Sequence, residues 1–304
     1  MQKYLFALAA SLLLCVAASA QSLDVQKKNV ETFANVCAED YFTLRFIYSA
    51  SSAVTVRADV RISEYVQAYV KGGTLYLELD EKKFPKDLKK ALKQKGAATP
   101  ILEADIYLPS VNSVILKENV TLSIPEGFTS NNLYIELTDN SEITQIHIDC
   151  SVADIEVAKN AKLSGTVNVA SRLNLKATNS SNVSLTQNGG NTFLDHSHAA
   201  HVDLRATVNT MEVESSGGSE SHISGTASLL KVAGTGSSRI DAELLESLDG
   251  EVMLTGAKCH VNVLEDLKVT LAGGAMLTFK RKPVFEIVRI LNSTLITADD
   301  EKRK

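Results

Sequence analysis

Tryptophan is absent from the 304-residue chain, proline occurs only five times and cysteine four, and acidic residues outnumber basic ones by 36 to 31. Each shortage excludes something. A sugar-stacking platform normally exposes aromatic rings, yet Phe193 and Phe279 are the only aromatics between residues 135 and 280. The net negative charge argues against nucleic acid or anionic lipid as partners. The cysteines are scattered and form no CxxC pair, so neither a disulfide framework nor a zinc knuckle is encoded. One pairing among Cys37, Cys150 and Cys259 is open, with one thiol left over. Long apolar runs are missing beyond the first residues, and no segment is long enough to span a bilayer.

The start, "MQKYLFALAASLLLCVAASAQS", has Lys3, an apolar core from Tyr4 to Val16, and then Ala18-Ser19-Ala20. It is read as a secretory signal peptide (1–20) cleaved after Ala20. Acylation of Cys15 is the alternative, although Leu14 before it suits that processing poorly. An exported protein of periplasmic, outer-membrane-associated or extracellular location is therefore expected.

What the chain does have is repetition. Alternating apolar residues, a short polar turn and a closing apolar residue recur. Examples are "IELTDNSEI" (135–143), "IEVAKNAKL" (155–163), "LKATNSSNV" (175–183), "LDHSHAAHV" (194–202) and "VAGTGSSRI" (232–240). Aligned on apolar residues, the closing positions fall at 122, 143, 163, 183, 202, 223, 240, 261, 277 and 295, spaced by 16 to 21. Two residues earlier stands a column of small residues: Ser141, Ala161, Ser181, Ala200, Ser221, Ser238, Cys259, Ala275 and Ser293. Gly217, Gly234, Gly236, Gly256, Gly273 and Gly274 lie near the same bend, as turns of unusual dihedral require.

A unit of about 20 residues cannot bury its own apolar face, but stacked copies can, one strand spacing of roughly 4.8 Å apart. The expected fold is all-β: a single parallel β-solenoid of about ten coils over 111–297, with a charged tail at 298–304. Residues 21–110 are read as a first coil plus a cap. The cap combines a hairpin at 66–80, turning on Gly72-Gly73, with a short helix at 85–95 whose buried stripe would be Leu88, Ala91 and Leu92. It is read as an insertion that covers the open end of the stack.

Four pieces carry a family resemblance: "YFTLRFIYSASSAVTV" (41–56), "GGTLYLEL" (72–79), "ADIYLPSVNSVIL" (104–116) and serial turns such as "GTGSSRI". In their order the chain resembles the secreted, mostly Bacteroidetes family of the putative auto-transporter adhesin, head GIN domain, over about residues 35 to 297. The usual glycine of the first turns is Asn or Lys here, as in "TDNSEI" and "AKNAKL". The resemblance implies a β-helical, surface-acting protein.

"FLDHSHAAHV" (193–202) holds half of the six histidines. On the alignment above it is first a rung of the repeat. It puts His201 in an outward column with His222, Arg239 and His260, the candidate binding residues. His198 falls in the turn column with Asp139, Lys159, Asn179 and Ser219. His196 falls among Leu137, Val157 and Ala177, so a local register shift that turns it outward is expected. Converging ligands for a metal are not evident, and no metal, cofactor or catalytic residue is assigned. Glu136 and Glu156 share a column, and such stacked carboxylates would suit a retaining glycosidase; a charged ladder is the commoner cause. The expected function is a non-catalytic, secreted or cell-surface binding module that meets a glycan or a surface or matrix protein. A polysaccharide-cleaving lyase or hydrolase and a structural cell-envelope protein are the alternatives. The sequence leaves the oligomeric state open.

Overall fold

A computed structural model describes residues 22–298, and the signal-peptide reading and the tail reading beyond residue 298 lie outside them. The described chain is a parallel β-solenoid of about ten coils, its strands joined in one continuous 21-stranded ladder. Glu142–Val157 pairs in parallel with Thr121–Leu137 on one side and Lys162–Ala177 on the other. Every later coil repeats this relation up to Val284–Ile290 and Thr294–Thr297.

Stacking in register turns the sequence period into columns. One inward column runs Leu122, Ile143, Leu163, Val183, Val202, Ser221, Ile240, Cys259, Leu277, Leu295. A second runs Ile135, Ile155, Leu175, Leu194, Val213, Val232, Val252, Val269, Ile287. Most members are below 4% exposed, and each buried aliphatic side chain contributes roughly 1.5–3 kcal/mol.

This register corrects the sequence alignment at two coils. Where the inward position holds Ser221 or Cys259, matching by apolarity slides two residues on, to Ile223 or Val261. The true closing positions are spaced by 21, 20, 20, 19, 19, 19, 19, 18 and 18 residues, so the coils shorten steadily towards the C-terminal end. The small corner column contains Ser219 and Ala257 in place of Ser221 and Cys259, and both are buried. Ser221 is instead a core residue whose hydroxyl has no partner.

Most corners use two successive left-handed residues: Glu118-Asn119, then Asp139-Asn140, Lys159-Asn160, Asn179-Ser180 and His198-Ala199, the last four with φ of 54° to 63°, and later Gly217-Gly218 and Gly273-Gly274. Gly236, Gly256 and Asn292 turn their coils alone. Such dihedrals fit a type I′ turn, which favours Asn and Gly. The turns also bond to one another: the Asn140 N–H donates to the Lys159 carbonyl and the Asn160 N–H to the Asn179 carbonyl, both at 3.1 Å. Gly234 is not among the left-handed glycines. It is needed for space, since a Cβ there would stand 2.8 Å from the Leu254 side chain.

At the N-terminal end the chain order is not the stacking order. Asn35–Ala38 lies in parallel between Thr74–Leu77 and Ser113–Leu116. Thr43–Tyr48 lies between Leu102–Leu108 and the start of Thr121–Leu137. The last rung is antiparallel: Ala53–Asp59 runs between Leu102–Leu108 and Leu23–Asn29. Arg57 and Arg45 both pair with the buried Asp105 there, at 2.7 and 2.8 Å. Val66–Lys71 and Thr74–Leu79 form the hairpin, and the helix spans only Lys86–Leu92. Leu88 and Leu92 pack on the core, but Ala91 is exposed, because a two-turn helix on a flat rim buries a stripe only one residue wide. Cys37, Cys150 and Cys259 are all free thiols.

Gly225 tests the close packing of coils. It has φ +113°, and a Cβ there would stand 1.9 Å from the Ala206 carbonyl oxygen. Gly225→Ala should therefore cost about 3 kcal/mol or more, whereas Gly218→Ala, with its nearest atom at 3.4 Å, should cost about 1 kcal/mol. Equal midpoints in urea for the two variants would contradict this packing.

Candidate functional site

The strand that follows each corner shows two outward columns to solvent. The first runs Glu142, Lys162, Asn182, His201, Glu220, Arg239, Lys258. The second runs Ser164, Ser184, Asp203, His222, Asp241, His260, and ends at Thr278, which is buried. The four candidate residues are thus not one column. His201 and Arg239 belong to the first, with Glu220 between them, while His222 and His260 belong to the second. The two-residue slip at Ser221 and Cys259 is the cause, because it carried His222 and His260 into the wrong file.

The corrected register yields a pattern that the sequence reading missed: acid and imidazole alternate on four successive coils, Asp203, His222, Asp241, His260. His222 Nδ1 lies 3.5 Å from Asp241 Oδ2. His201 Nε2 lies 3.4 Å from Asp203 Oδ2, and its Nδ1 lies 4.0 Å from Glu220 Oε2. The His201 and His222 rings meet edge to face with centroids 5.5 Å apart. Spacing by 19 residues from Asp203 to His222, Asp241 and His260 is the signal that would have found the ladder.

Two hollows open along this face. A groove of about 510 Å³ is floored by Gly165 and Leu204 and walled by Ser184, Asp203, His222 and Asp241. A smaller hollow of about 250 Å³ brings His222, Arg239 and His260 together beside Glu220 and Lys258. His201 stands outside both. Two groups of three potential metal donors occur among the described residues: His201 with Glu220 and His222, and Asp241 with Glu243 and His260.

The other strand run of each coil carries its own charged files. Glu136 and Glu156 do stack, but Lys176 follows and Asp195 comes next. Its neighbouring file alternates strictly: Glu212, Lys231, Glu251, Lys268, Glu286. Tyr134 donates its hydroxyl to Glu136 at 3.1 Å, and burial followed by that contact pushes the phenol up to about 12.

His196 points inward, contrary to the expected register shift. It is fully buried, stacked between Ala177 and Ser215. These two small neighbours make the room that a ring needs. Nδ1 donates to the Glu214 carbonyl at 3.1 Å, which leaves Nε2 to accept from the Ser215 hydroxyl at 3.2 Å. His198 is a turn residue whose Nδ1 meets Ser197 Oγ at 2.9 Å. It shares its left-handed turn file with Asp139, Lys159, Asn179 and Gly217 rather than Ser219.

The profile of the family described as putative auto-transporter adhesin, head GIN domain, matches residues 32–172 and 165–283. The chain belongs to this family. Among solved structures it is similar to a putative adhesin from Bacteroides fragilis at 18% identity and TM-score 0.33, covering 91% of this chain and 98% of that one. A putative adhesin from Parabacteroides merdae matches at 14% identity and TM-score 0.45, covering 92% and 97%. A putative lipid binding protein from Parabacteroides distasonis matches at 11% identity and TM-score 0.44, covering 92% and 98%. No curated protein is matched. The head GIN family profile alone carries the assignment.

His196 makes the stability of this head GIN chain depend on pH. Burial, only partly offset by the Glu214 carbonyl, lowers its pKa to about 4. Its neutral form is thus favoured by folding. The stabilisation is complete above the ordinary imidazole value of about 6.5 and is lost as pH falls from there towards 4, on the order of 3 kcal/mol. Denaturant midpoints measured from pH 7 to 4 should fall less steeply in His196→Gln than in the parent. Parallel curves would rule this account out.

Proposed function

We propose that this head GIN chain is an exported, non-catalytic binding module, and that an extended ligand lies along the ladder Asp203, His222, Asp241 and His260. One observation carries the reading: a rigid strand face repeats a polar pair at every coil beside a continuous groove of about 510 Å³. A linear polymer with its own repeat can meet such a face at several points together, and weak contacts then add through effective concentration. A groove rich in hydroxyls, carboxylates and imidazoles suits the hydroxyl groups of a glycan or the backbone of an extended surface or matrix protein. Aromatic stacking plays no part on this face. The signal-like N-terminal sequence and membership of the head GIN adhesin family support a location outside the cytoplasm.

The test is retention of the folded chain on immobilised glycans and matrix proteins, with the eluted ligand checked for cleavage. Asp203→Ala, His222→Ala and Asp241→Ala should each weaken retention about tenfold, the order expected for losing one charge-assisted contact. Lys231→Ala, on the other strand run, should not. Retention that ignores all three ladder changes, or release of shortened glycan, would overturn the proposal.

A further inference from the structure

The region where His201, Glu220 and His222 meet can do more than touch a polymer. One donor atom from each of the three lies within 4.8 Å of the other two. Donors around a tetrahedral zinc sit roughly 3.3 Å apart, given bonds near 2.1 Å. Closing that gap, at most about 1.5 Å, needs only side-chain rotation. The three side chains are 37%, 44% and 49% exposed, so they can rotate. Their backbones cannot drift, because each strand is paired on both sides.

A second observation points the same way. Asp203 faces Nε2 of His201, and Asp241 faces Nδ1 of His222. Carboxylates in those positions would take the N–H of each ring and set its tautomer. The unprotonated atoms are then Nδ1 of His201, which faces Glu220, and Nε2 of His222. Carboxylate–histidine–metal relays have this form, and their outer carboxylates both orient the ring and strengthen it as a ligand.

We infer that His201, Glu220 and His222 form a binding site for a borderline divalent transition ion such as Zn²⁺, Ni²⁺ or Co²⁺, with Asp203 and Asp241 as positioning residues. Two imidazoles and one carboxylate favour these ions over Ca²⁺ and Mg²⁺, which want oxygen donors in larger number. Three protein ligands on an open face leave at least one coordination position for water or for a donor on another molecule. Arg239, next to Glu220 in its file, opposes the cation and limits its affinity. The group Asp241, Glu243 and His260 offers a single imidazole and is the weaker candidate. The site does not depend on the glycan or matrix-protein reading above.

The experiment is calorimetric titration of the tag-free chain, residues 21–304, with ZnCl₂, and with CoCl₂ followed by visible absorption. One equivalent should bind, with cobalt bands of a low-coordinate nitrogen–oxygen site. His201→Ala and His222→Ala should each lower affinity at least tenfold. Asp203→Asn and Asp241→Asn should lower it several-fold while cobalt bands persist, as expected of groups that act through the rings. His260→Ala should leave it unchanged. His201→Gln and His222→Gln serve in place of any alanine variant that does not fold. Absence of binding at millimolar zinc, or affinity unmoved by both histidine changes, would overturn the inference. So would loss confined to His260→Ala.

Discussion

The structure depends on one constraint: each residue must tolerate a near-copy of itself about 4.8 Å above and below. The corner meets it most severely. One or two left-handed residues reverse the chain, and the next side chain is driven into the interior, where Val120 fills the first corner and Ser or Ala every corner from Ser141 to Ala275. The turn amides bond from coil to coil, so the corner acts as the hinge line on which register is set. Everything outward of it, including the candidate site, inherits that register.

On the outside the same constraint makes like charges in one file costly, a cost that Glu136 with Glu156, Asp195 with Glu214 and Arg239 with Lys258 still bear. Two unit charges a strand spacing apart interact by roughly 1 kcal/mol in a watery setting. Alternation relieves it, as in Glu212, Lys231, Glu251, Lys268 and Glu286. The file Asp203, His222, Asp241, His260 obeys the same rule with imidazole in place of ammonium. This substitution turns a purely electrostatic ladder into one with ligand chemistry, because a neutral imidazole can accept a hydrogen bond or hold a metal where an ammonium cannot. Function on this face would thus be an exploitation of a pattern that stacking already requires.

Much of the fold was legible in the sequence because the corner chemistry is local. "TDNSEI", "AKNAKL" and "TNSSNV" each display the left-handed pair and the small residue, and their spacing announces a solenoid. The candidate site was less legible, for a reason lodged in two residues. Ser221 and Cys259 occupy an inward file otherwise filled by Leu, Ile and Val, so apolarity alone passed them over and moved His222 and His260 by two places. The turn pair Gly217-Gly218, read as the counterpart of His198-Ala199, would have held the register. His196 was misjudged differently. A ring fits inside this otherwise aliphatic stack because its neighbours in the file are Ala177 and Ser215, both small. At the N-terminal end, chain order and stacking order differ, and no periodic pattern reports an interleaved strand.

Cross-linking reads this register in the folded protein. In a Cys37→Ala background, Asp203→Cys with His222→Cys places the two thiols in one file on adjacent coils. His201→Cys with His222→Cys places them on a diagonal, with Cα atoms roughly 8 Å apart, beyond the reach of an unstrained disulfide. Mild oxidation of the folded protein should close the first pair quickly and spare the second. Rapid closure of the second pair with sparing of the first would contradict the account.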